Sequence, residues 1–139
     1  MTKLELRKEQ AAQLLHAAED ILYFAENVRT FDSHGVGKDK IAYFPVHKEY
    51  LKRLLVLAKQ AKKLAVYKSR QLLVTWTMCV VIMHEVLFTP GSYVGIISKK
   101  EEDAGKVLER IKNIYDYLPL HWKSEIGRAS CRERVSKQV

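Results

Sequence analysis

Residues 68–75 carry the types and spacing from which phosphate chemistry is built: Lys68, Ser69, Arg70, Gln71, Leu72, Leu73, Val74 and Thr75. They lie between a short apolar run at 64–67 (LAVY) and a long one ending at Phe88. A strand, a polar loop and a helix in that order surround an anion with backbone N–H groups and a helix N-terminus. A hydroxyl at the loop's end can then bind magnesium. The usual pattern of such a loop, G-x-x-x-x-G-K-[ST], has this length, and Thr75 falls in its last position. Lys68 stands where the first glycine would be, Leu73 where the second would be, and Val74 where the lysine would be. The chemistry survives if the loop curls so that Lys68, at its start, folds back over the phosphates. The plainer alternative is that Lys68 and Arg70 solvate a strand end while Thr75 caps a helix.

Other side chains with chemical capacity are scattered. His84 and Glu85 sit on a mostly apolar helical run, where a structural histidine is the expectation, and His16, His34, His47 and His121 have no metal-ligand spacing. Cys79 lies in TMCVVIM and reads as a small buried hydrophobe. Cys131 is far from it, so neither a metal site nor a disulfide framework is indicated. Glu101, Glu102 and Asp103 open a helical pattern and favour its dipole. Trp76 and Trp122 read as packing residues.

The elements that must position the loop follow from periodicity. Leu14, Leu15, Ala18, Ile21, Leu22, Ala25 and Val28 recur at helical spacing within 4–28, and residues 30–40 (TFDSHGVGKDK) read as a loop. A short apolar run at 41–45 (IAYFP) is stopped by proline. A second helix then sets Tyr50, Leu51, Leu54, Leu55 and Ala58 on one face, with most of its lysines off it. Residues 64–67 read as a strand, 72–88 as a buried helix, Pro90-Gly91 as a turn, 93–98 (YVGIIS) as a strand and 101–117 as a helix ending before Pro119. Strand, helix, strand, helix predicts an α/β fold, a partial P-loop-like parallel sheet (βαβα) preceded by N-terminal helices. The expected organisation is a helical segment over 1–63, the first part of an ATPase domain over 64–125, and a foreign tail over 126–139.

That segmentation resembles the large terminase subunit of tailed bacteriophages. KSRQ after an apolar strand, with Thr75 at the eighth position and a long apolar helix behind it, is similar to the family's variant Walker A, some members of which carry their lysine at the loop's start. The segment FAENVRTFD (24–32) resembles the stretch before the family's nucleotide-contacting region. Tyr43-Phe44-Pro45, with His47 to Tyr50 behind, resembles its aromatic adenine motif. YVGIIS followed by the helix ending in Leu118-Pro119 resembles its second βα unit. The likeness spans about 24–119.

The resemblance implies ATP and Mg2+ as cofactors. Lys68 would serve the phosphates and Thr75 the magnesium, Ser69, Arg70 and Gln71 would shape the loop or sense the γ-phosphate, and Tyr43 and Phe44 would flank the adenine. It also implies double-stranded viral DNA, a small terminase subunit and a portal protein as partners, assembly into a homo-oligomeric ring, and the cytoplasm of a bacterial host. The family often reads the base edge with a glutamine, where this chain offers Lys48 and Glu49. The Walker B and nuclease carboxylates of such a motor are not in the sequence, so the chain by itself is expected to be inactive. Two rivals remain: a helicase-like P-loop translocase, and a small basic α/β nucleic-acid-binding module with no nucleotide site.

Bulk properties frame these choices. The chain has 139 residues, 47% of them hydrophobic and 29% charged, which excludes a disordered polymer. Its net charge of +8 suits a nucleic-acid or membrane-surface partner. The start, MTKLELRKEQ, is too polar for a signal peptide, and Thr75, Thr77, His84 and Glu85 mark 72–88 as a buried helix and not a membrane span. Residues 126–135 (IGRASCRERV) show no apolar period and match the conceptual translation of a common sequencing adapter. The natural sequence is therefore expected to end near Ser124 or Glu125. Setting 126–139 aside removes four cations and one anion and leaves +5.

Overall fold

The computed structural model describes residues 2–31 and 41–125, with the side chains of 124 and 125 left aside. Helix α1 (Lys3–Glu19) opens with a capping box: the Glu5 N–H donates to Thr2 Oγ1 and the Thr2 N–H donates to Glu5 Oε2 at 2.7 Å. These bonds hold the Glu5 carboxyl below its ordinary range, the backbone bond from Thr2 being the larger cause. Only Ala17 of α1 is fully sequestered, and Leu4, Leu6 and Leu15 stay exposed. Asp20 then ends α1 and starts α2 (Ile21–Glu26), its Oδ1 accepting the Leu22 N–H at 2.8 Å. The single helix expected over 4–28 is therefore two.

A hairpin-like pair follows. Strand β1 (Arg29–Phe31) pairs antiparallel with β2 (Ile41–Tyr43), Thr30 opposite Ala42. Beyond it the chain is helical: α3 (Glu49–Gln60), α4 (Val74–Phe88), α5 (Glu101–Asp116) and α6 (Leu120–Glu125). Helix α4 is apolar on nearly every side and is accordingly central, packing against α5, α3 and α2. Helices α3 and α5 each present one apolar stripe to it, Leu51 and Leu55 on α3, Leu108, Ile111 and Ile114 on α5. The core closes around Phe24, whose ring meets His84 and Phe88 edge-on and stacks on Trp122 at 5.8 Å.

The expected parallel sheet does not form. Among the described residues the one ladder is the antiparallel β1–β2 pair, and no backbone hydrogen bond joins 64–67 or 93–98 to another segment. Both stretches carry no regular secondary structure and no ladder, and the reason lies in their surroundings. Parallel strands are stable when neighbours pair with them and both faces are covered. Here 93–98 rests one face on the helices, with Val94 and Ile96 half-buried, while Tyr93 and Ile97 point outward almost bare. Tyr67 is likewise fully exposed. The coarser expectation, a chain mixing helices with strands, holds with helix dominant.

Candidate functional site

The loop between 67 and α4 is built by backbone in an unusual conformation. Gln71 and Leu73 have φ of 63° and 56°, left-handed values that side chains with a Cβ disfavour. Leu73 occupies the place of the second glycine in the phosphate-loop pattern, so the backbone adopts there the conformation for which that glycine is normally used. Leu73 is also the residue from which α4 springs, its carbonyl accepting both the Thr77 N–H and the Thr77 hydroxyl at 2.9 Å. The loop reverses sharply into the helix as a result.

No side chain caps α4, and among the described residues no backbone carbonyl accepts from the N–H groups of Val74, Thr75 or Trp76. Such unpaired donors at a helix start suit an anion. Lys68, Ser69, Arg70 and Gln71 are all exposed around this end, and neither Lys68 nor Arg70 makes an ion pair with a described residue. Thr75 is half-buried in the first turn of α4. It is a fitting single protein ligand for a metal that arrives with phosphate, since magnesium draws most of its oxygens from water and phosphates. No group of three or more metal-ligating side chains occurs among the described residues.

The structure separates the sequence-chosen aromatics from this loop. Phe44 is 3% exposed and belongs to the core, its N–H donating to the Val28 carbonyl at 2.9 Å. Tyr43 is exposed on β2, where its hydroxyl accepts from Arg29 Nη2. Neither lines the cavity of about 750 Å3 that adjoins the loop. That cavity is lined by Val66, Tyr67, Lys68 and Leu72 of the loop segment and by Tyr50, Arg53 and Leu57 of α3. The sequence sets Tyr50 only on the apolar face of α3, because a 3.6-residue period shows which residues share a side, not which loop packs beside it.

No protein-family model, curated protein or solved structure matches the chain.

The other singled-out residues behave as structure. His84 is buried, its Nε2 lies 2.9 Å from the Ala17 carbonyl, and its Nδ1 has no hydrogen-bond partner among the described residues. Burial is the first cause that pulls its pKa below the ordinary value, with the Lys59 charge adding to it. Glu85 bonds Lys59 at 2.6 Å, which holds its carboxyl low. The Cys79 thiol is pushed up to about 11 by burial and is a packing group. Lys106 pairs with Glu102 and Asp103 on the first turn of α5, whose acids lie where the helix dipole favours them. Cys131, His34 and the tail at 126–139 lie outside the described residues. No helix among the described residues is long and apolar enough to cross a membrane.

Proposed function

We propose that this chain is the N-terminal, nucleotide-binding part of a viral DNA-packaging motor of the large-terminase kind. The observation that carries the proposal is the loop into α4: a left-handed backbone at the position of the pattern's second glycine, N–H donors beyond it that no described carbonyl accepts, and two cations beside it that make no ion pair with a described residue. In the intact protein Lys68, with Ser69, Arg70 and Gln71, holds the phosphates and Thr75 supplies one ligand to Mg2+. The ATP supplies the free energy for moving double-stranded DNA, and the small subunit, the portal and further copies of the motor are its partners in the host cytoplasm. Residues 64–67 and 93–98 become parallel strands once other strands pair with them; for 93–98 the alternating burial of Val94 and Ile96 against Tyr93 and Ile97 supports this. Without a water-orienting carboxylate and a second magnesium ligand this stretch binds nucleotide but does not turn it over.

Calorimetric titration of the chain with a non-hydrolysable ATP analogue and Mg2+ tests the proposal. Binding that weakens at least tenfold in Lys68→Ala supports it, and no binding by the unsubstituted chain refutes it. The unladdered strands favour one other reading, a small basic nucleic-acid-binding module. Under that reading no nucleotide binds, and a duplex DNA titration alone gives a signal.

A further inference from the structure

The cavity beside the phosphate loop has a chemical character that the loop does not account for. Its lining is mostly aliphatic, with two exposed aromatic rings, Tyr50 (43%) and Tyr67, and the cations Arg53 of α3 and Lys68 of the loop. Glu49 is the one carboxylate among its lining residues, against Lys52, Arg53 and Lys68, so the mouth is net positive. An apolar hollow of about 750 Å3 lies within the range of small-molecule sites, roughly 300–1,000 Å3, where a few polar groups fix orientation. A flat ring on an anionic tail has this complementary shape and charge: the ring fills the hollow and the tail reaches the cations and the open end of α4.

We infer that the cavity receives the base of the bound nucleotide, with Tyr50 of α3 as the ring it stacks on, Tyr67 at the exposed edge, and Arg53 as a second phosphate-side cation beside Lys68. The inference rests on the nucleotide reading above and moves the base contact from Tyr43 and Phe44 to α3. Phe44 is committed to the core and Tyr43 to Arg29, whereas Tyr50 lines the same cavity as Lys68. Stacking of a base on an aromatic side chain contributes about 1–3 kcal/mol, a factor of about ten to a hundred in affinity. Inorganic tripolyphosphate has no ring and gains nothing from it.

The test titrates the full chain with Mg2+ and either a non-hydrolysable ATP analogue or tripolyphosphate. Tyr50→Ala is expected to weaken the ATP analogue at least tenfold and to leave tripolyphosphate unchanged, and Tyr50→Phe restores analogue binding because it keeps the ring. Lys68→Ala weakens both ligands, and Arg53→Ala weakens both to a smaller extent. Tyr50→Ala that binds the analogue as well as the unsubstituted chain overturns the inference while Lys68→Ala still weakens it, so the nucleotide reading survives. If neither ligand binds the unsubstituted chain, both fall. A far-ultraviolet spectrum equal to that of the unsubstituted chain confirms that Tyr50→Ala, a half-exposed change, leaves the helices in place.

Discussion

Gln71→Gly isolates the backbone of the loop that leads into α4 from everything else. Gln71 is exposed and makes no hydrogen bond with a described residue, so its side chain contributes little, while its φ of 63° strains any residue that has a Cβ. Left-handed backbone costs such a residue about 1 kcal/mol or somewhat more. Glycine removes that cost but gives the unfolded chain extra freedom, which takes back about 0.4–1 kcal/mol. The net effect is stabilisation by about 0.5 kcal/mol, a rise in Tm of about 2 °C for a chain of this size. Gln71→Val reverses the sign, because a β-branched side chain at positive φ is strongly disfavoured, and should lower Tm by about 4 °C or more. Leu73→Gly relieves the same strain at φ 56° but deletes a half-buried side chain packed on the core, so it is destabilising by about 1 kcal/mol. Thermal unfolding followed by circular dichroism reads all three. A Gln71→Gly chain that melts several degrees lower, or a Gln71→Val chain that melts unchanged, refutes the left-handed loop.

Three further outcomes follow from the core. Folded His84 stays neutral where the unfolded chain's histidine takes up a proton, so the unfolded state binds more protons and stability falls as pH drops below about 6.5. Acid titration of Tm should show that loss, and His84→Gln, which keeps a donor toward Ala17, should reduce it. Phe24→Ala empties the centre of the aromatic cluster and should cost about 3–5 kcal/mol in denaturant unfolding, enough to unfold a marginal domain. Lys59→Met breaks a partly exposed pair with Glu85 and should cost under about 1 kcal/mol, less still at high salt.

The long helices were legible because α3 and α5 each hold one clean apolar stripe and α4 is apolar throughout. What escaped were features below the reach of a period. Strands β1 and β2 are three residues each, too short for alternation to register, and α6 is a six-residue turn of chain after Pro119 that Trp122 anchors in the core. Asp20 ended one helix and began another inside an unbroken 3.6-residue pattern, because a capping carboxylate breaks the backbone without breaking the spacing. The strand signals at 64–67 and 93–98 did not become strands, because an apolar run or alternation does not supply the pairing partner a strand needs. At the candidate site the loop's position was readable from Lys68 to Thr75. Its left-handed residues were not, because neither Gln71 nor Leu73 is a glycine. That Phe44 is a core residue was not readable, since the alternation that buries Phe44 and Val46 and exposes Tyr43 spans only four residues.

The measurement that bears most directly on the motor reading is the sequence of the coding DNA through and beyond codon 125. A frame that leaves residues 126–139 behind and continues into an apolar strand ending in adjacent acidic residues, with clustered carboxylates farther on, is the predicted result. It would supply both the missing strands for 64–67 and 93–98 and the missing magnesium ligand. A frame that reads through 126–139 in the source genome and stops there contradicts it, leaving a basic helical module with no second half to its nucleotide site.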